Sequence, residues 1–149
     1  MRVLAADETH ALRRAVSADG RTDLPSMHYE LDGAPDSWHL GAIDSAGTVV
    51  AISSFYHEVC PLRPDVPGAV LLQFMAVDPA HQRQGIGSAV LEEAMRRLCT
   101  SGATILWASA RDNAVPFYQR FGFTVVEESA STPMETGRPH HLILLQLKA

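Results

Sequence analysis

The chemistry-bearing residues of this chain gather first at a strand–loop–helix junction, Val77-Asp78-Pro79-Ala80-His81-Gln82-Arg83-Gln84-Gly85-Ile86-Gly87-Ser88. Amides at a helix N-terminus lack intrahelical partners and meet the positive end of the helix dipole, so they suit an anion. Gly85 and Gly87 let phosphate oxygens reach the backbone with no Cβ in the way. Gln82, Arg83, Gln84 and Ser88 add side-chain donors, and the amides from Arg83 through Ile86 to Ser88 complete a cradle for phosphate. The cradle is not a lysine-bearing P-loop, because no Gly-Lys-Ser/Thr occurs. It is not the dinucleotide fingerprint either, since Gly85-Ile86-Gly87-Ser88-Ala89-Val90 lacks the third glycine.

A second constellation follows, Ala114-Val115-Pro116-Phe117-Tyr118-Gln119-Arg120-Phe121-Gly122-Phe123. The two together resemble the GNAT superfamily of N-acetyltransferases. Gln82, Gly85 and Gly87 match its acyl-CoA loop, Gln/Arg-x-x-Gly-x-Gly/Ala after a strand. Ala114, Phe117, Tyr118, Gly122 and Phe123 match its Ala-x-x-Phe/Leu-Tyr-x-x-x-Gly-Phe motif. The resemblance covers residues 38 to 147, and the N-terminal strand and helix more loosely. It implies acetyl-CoA as acyl-donor cosubstrate and a primary amine of a small molecule or peptide as acceptor, joined in a ternary complex by direct attack. An acyl-CoA-binding or sensing module on the same fold, without turnover, is the competing expectation.

Acetyl transfer needs three things: a deprotonated amine, a stabilised oxyanion and a proton for the departing thiolate. The resemblance assigns the oxyanion to backbone amides near Met75, Ala76 and Val77, where a bulge would also serve the pantetheine arm. It makes Tyr118 the proton donor; a free phenol titrates at about 10, near a thiol leaving group. Phe117, Arg111 and Asn113 would lie toward the cofactor. Arg111 stands where members often carry Asn, and Ser109 where some relatives carry a glutamate on the fifth strand. The general base stays open. Glu58 leads, with His57, His81, His141 or a water chain as alternatives; neighbouring strand residues face opposite ways, so only one of His57 and Glu58 points into a cleft.

The elements that must position these groups are legible from pattern. Arg2 to Ala6 reads as a strand, and Asp7 or Thr9 caps a helix to Ala18. Residues 21 to 36 read as a loop with one helical turn around Met27. Trp38 to Ile43 and Thr48 to Val59 form a hairpin around Asp44-Ser45-Ala46-Gly47. Val70 to Val77 is a strand stopped by Pro79. Ile86 to Ser101 is an amphipathic helix ended by Gly102, with Glu92–Arg96 and Glu93–Arg97 as i,i+4 pairs and Cys99 in its packing. The apolar run Thr104 to Ala110 is a buried strand, parallel to the one before the helix. Asn113 caps a short helix with Pro116 in its first turn. Phe123 to Glu127 pairs antiparallel with His140 to Leu147. The resemblance completes the picture: an α/β (α+β) fold with a mixed, mostly antiparallel twisted sheet of about seven strands, helices on both faces and one parallel pair splayed to admit acyl-CoA.

The 149 residues, with 46% apolar and 19% charged, read as one domain over 1–149 with a substantial core. A formal charge of −5 argues against general nucleic-acid binding. No apolar stretch or signal peptide points to a membrane, and Cys60 and Cys99 have no framework spacing, so a cytoplasmic protein with reduced thiols is expected. No metal is expected, as the histidines and cysteines lack ligand spacing. A two-fold homodimer is the prior, that symmetry being commonest. The loops at 21 to 36, 60 to 68 and 128 to 138 would shape the acceptor pocket.

Overall fold

The computed structural model describes residues 1–17, 29–131 and 140–147, with the side chains of 17 and 127–131 left aside. Seven strands form one mixed sheet in the order β1-β2-β3-β4-β5-β7-β6. They are β1 (Arg2–Leu4), β2 (Trp38–Ile43), β3 (Val49–His57), β4 (Ala69–Val77), β5 (Ile105–Arg111), β6 (Thr124–Ser131) and β7 (His140–Gln146). The helices are α1 (His10–Leu12), α2 (Ile86–Cys99) and α3 (Val115–Gln119). By contact the chain divides into two compact units, Met1–Tyr56 with Leu72–Arg97 and His57–Leu71 with Leu98–Ala149. No helix among the described residues is long and apolar enough to cross a membrane.

In the first unit β1, β2 and β3 form an antiparallel ladder. Asp44 makes the β2–β3 turn by accepting the amides of Ala46 and Thr48, both at 2.9 Å. Gly41 of β2 has a packing reason to be glycine: a Cβ there would run into the Ala51 carbonyl and the Leu4 side chain. Leu4, Leu12, Ile52 and Ala76 make one cluster of the core, with Val16, Ile43, Val49 and Phe74 packed on it. The expected helix from residue 7 to 18 is a broken one. A 3₁₀ turn, Ala6–Thr9, leads into α1, and a π-helical turn, Arg13–Ser17, follows. The turn expected around Met27 lies outside the described residues, and a 3₁₀ turn stands instead at Glu30–Gly33.

In the second unit β5 pairs in parallel with the start of β4, Ala69–Leu71 against Ile105–Trp107. Its other edge pairs antiparallel with β7 along its whole length. Ile105, Leu106, Trp107 and Ala108 are all buried, as expected of a strand covered on both faces. β7 lies between β5 and β6, so the last strand in sequence is not the last in the sheet.

Three sequence expectations need correction. The α3 cap is Ala114, not Asn113, and the helix has 5 residues with Pro116 in its second position. Proline loses no bond anywhere in a first turn, so it could not fix the boundary. Cys99 is exposed rather than packed. Glu93 takes both arginines of α2, Arg96 at 2.5 Å and Arg97 at 2.7 Å, where one each for Glu92 and Glu93 was expected.

Candidate functional site

The cradle belongs to the first unit. Beyond β4, Asp78 caps a 3₁₀ turn, Pro79–His81, and its carboxylate faces His81 Nδ1 at 3.2 Å. The Gln82 side chain donates back to the Val77 carbonyl at 3.0 Å, tying the loop to the strand. Arg83 and Gly85 then take left-handed backbone, φ 65° and 79°. Two reversals within three residues turn the loop so that α2 starts at once. Its first helical bond runs from the Ala89 amide to the Gly85 carbonyl at 3.0 Å. The amides of Gly85, Ile86, Gly87 and Ser88 therefore precede any helical acceptor. A Cβ on Gly85 would meet no protein atom within 4 Å, so the space beside it is open to a ligand. Arg83 and Gln84 are exposed, and Ser88 is half-buried. This donor set and clearance fit a pyrophosphate.

β4 leads into the cradle through Met75, buried Ala76 and Val77. Just before them Phe74 has φ 58°, inside a strand. A left-handed residue turns the chain off its extended path and re-aims the amides that follow, as the extra residue of a bulge does. The position and residue type of this break could not be read from an apolar run.

The second unit holds the tyrosine. Tyr118 on α3 is 6% exposed, edge-on to Phe117 at 5.1 Å and to Phe123 at 5.4 Å. Among the described residues its hydroxyl has no hydrogen-bond partner. Burial pushes the phenol up from its ordinary value. Arg111 ends β5 half-buried, and Asn113 is exposed in the turn before α3. In the same unit the Trp107 indole donates to the Glu58 carbonyl at 2.9 Å. Glu58 and His57 line a pocket of about 200 Å³ with Val59, Val66, Pro67, Gly68 and Ala69. Ser109, exposed between buried Ala108 and Ala110, hydrogen-bonds His140 Nδ1 at 3.2 Å. Among the described residues His141 Nδ1 is buried without a partner. Among the described residues no cluster of His, Cys, Asp and Glu could hold a metal.

Sequence reasoning missed a buried ionic network in the first unit. Arg13 is fully buried and bonds Asp32 at 2.8 and 3.1 Å, Ser54 at 3.0 Å and Tyr56 at 3.1 Å. Asp32 also accepts the Tyr56 hydroxyl at 2.5 Å and the Tyr29 amide at 3.0 Å. Burial alone would raise the Asp32 carboxyl, but these donors outweigh it and hold it far below its usual range. Burial and the bond to Asp32 push Tyr56 up. His39, with Nδ1 2.7 Å from Ser54 Oγ, is lowered by burial and by Arg13, against the pull of Asp32. One signal was available: Thr9, Leu12, Arg13 and Val16 keep helical spacing, so Arg13 occupies an inward position.

Comparison with known proteins agrees with this geometry. A family model described as "Acetyltransferase (GNAT) domain" matches residues 39–125. The uncharacterized N-acetyltransferase YitI of Bacillus subtilis is 25% identical over 144 residues, 97% of this chain and 93% of that protein. Escherichia coli ElaA superposes with a TM-score of 0.75 at 20% identity, covering 96% of this chain and 93% of its own. An aminoglycoside 6'-N-acetyltransferase complexed with coenzyme A superposes with a TM-score of 0.71 at 9% identity, covering 100% and 98%. At these identities the two structures speak for the fold.

Proposed function

Because the chain belongs to the GNAT acetyltransferases, we propose that it moves an acetyl group from acetyl-CoA to a primary amine by direct attack in a ternary complex. The observation that carries this reading is the loop after β4: Gly85 is left-handed with open space beside it, and the first amides of α2 precede any helical acceptor, as an anion-binding loop requires. Tyr118 adds a side chain only 6% exposed whose hydroxyl makes no hydrogen bond to a described residue.

The donor, when bound, supplies the acyl group and a thiolate that leaves. The amides from Arg83 to Ser88 hold its pyrophosphate, with Gln82 fixing the loop and Arg83 and Gln84 adding donors. Gly85 and Gly87 leave room for the phosphates. The amides of Met75, Ala76 and Val77 stabilise the oxyanion and guide the pantetheine arm. Arg111, Asn113 and Phe117 flank the donor beside Tyr118. Tyr118 gives its proton to the thiolate. Glu58 takes the proton of the incoming ammonium, and the pocket it lines suits a small amine.

A second reading, an acyl-CoA-binding module without turnover, is favoured by Ser109, which puts no carboxylate on β5 where some relatives carry one. Acetyl-CoA titration followed by thiol release over a panel of amines separates the two. Binding with release supports transfer. Binding without release from any amine would leave the binding module standing, and no binding would remove both.

A further inference from the structure

Phe74 is the one non-glycine residue besides Arg83 with left-handed backbone among the described residues. That conformation is disfavoured for a bulky side chain and persists only where its surroundings over-determine it. The Arg13 guanidinium lies over the Phe74 ring, 4.0 Å from its centroid. Tyr29 packs edge-on against the same ring at 5.7 Å and 75°. Neither can drift. Arg13 is forked onto Asp32 and tied to Ser54 and Tyr56. The Tyr29 amide donates to Asp32, and its ring lies 4.7 Å from that of Tyr56. The planar cation is thus fixed both in place and in tilt, and a cation over a ring face is attractive. Stability alone does not call for such a pair, because apolar residues of like volume often replace a buried ion pair without loss.

We propose that the Arg13–Asp32–Tyr56 network, with Tyr29, is a positioning device: it holds Phe74 left-handed and so aims the Met75 and Ala76 amides at the thioester oxygen. Arg13 and Phe74 act here through the backbone that follows and touch no reacting atom. The inference rests on the reading that those amides receive that oxygen.

The test is amide NMR of the full chain, titrated with acetyl-CoA and, separately, with CoA. Wild type is expected to show a shift at Met75 and Ala76 that appears with acetyl-CoA and not with CoA. Phe74→Val, apolar but β-branched and poor in left-handed backbone, is expected to lose that shift while CoA affinity stays within about threefold. Phe74→Asn, polar but tolerant of that backbone, is expected to keep it. Arg13→Lys, which loses the planar fork, should lose it, and adding Phe74→Asn should bring it back. A role in packing alone gives the reverse order, valine retained and asparagine lost, and that order would overturn the inference. A wild-type shift that survives in Phe74→Val overturns it as well. If wild type binds acetyl-CoA with no acetyl-dependent shift at those amides, the oxyanion reading itself falls and takes this inference with it.

Discussion

Tyr56 and Tyr118 are both buried tyrosines with raised phenols, yet they are opposites in wiring. Tyr56 donates to Asp32 and accepts from Arg13 inside a network that joins β2, β3, the π-helical turn and the Glu30–Gly33 turn. Its proton is held by a bond to a carboxylate as well as by burial. Tyr118 is raised by burial alone, and its hydroxyl meets no described partner. The first hydroxyl is tied into a network that links several stretches of backbone. The second makes no hydrogen bond to a described residue. The raised phenols do not tell the two apart; the hydrogen bonds do.

The contrast can be broken by substitution. Asp32→Ala leaves the Arg13 guanidinium buried and uncompensated, so chemical denaturation should report a loss of about 3–5 kcal/mol. A loss near zero would mean that water reaches the network. Tyr118→Phe should leave the denaturation midpoint almost unchanged and lower kcat about 100-fold, or about 2.7 kcal/mol, with acetyl-CoA affinity retained. Equal kcat across pH would strip Tyr118 of its role as acid. Tyr56→Phe should do the converse, costing about 1.5 kcal/mol of stability through the lost bond to Asp32. The smallest effect is in pH. His39 titrates below its ordinary 6.5 in the folded protein, so the unfolded chain binds more protons below that value. Stability should therefore fall as pH drops through and below 6.5, and thermal melts of His39→Gln should show a shallower fall between pH 7 and pH 5.

The loop between β4 and α2, the long helix, the hairpin and most strands were legible because their signals are local. Pro79 stops a strand, Gly85 turns a loop, and Val90, Leu91, Ala94 and Leu98 mark a helix face, all within a few residues of what they govern. Tyr118 was legible for its motif, and its missing partner was not, because that depends on what packs around it. Arg13 finds its partners 19, 41 and 43 residues away, and no local pattern encodes such a meeting. The left-handed Phe74 was hidden for a related reason: the residue type argues against the conformation, and only its neighbours impose it. The place of β7 between β5 and β6 was half legible, since the pairing with β6 was expected and that with β5 was not.

That place has a consequence for how the chain can be made and trimmed. Each residue of His140–Gln146 has a β5 partner, and Thr124 to Val126 and Ser131 pair across its other edge. During synthesis β5 and β6 wait for a segment made after both of them, and the second unit cannot close its ladder before then. A truncation that stops short of residue 140 removes an interior strand, and two exposed edges remain, each a template for pairing with another molecule.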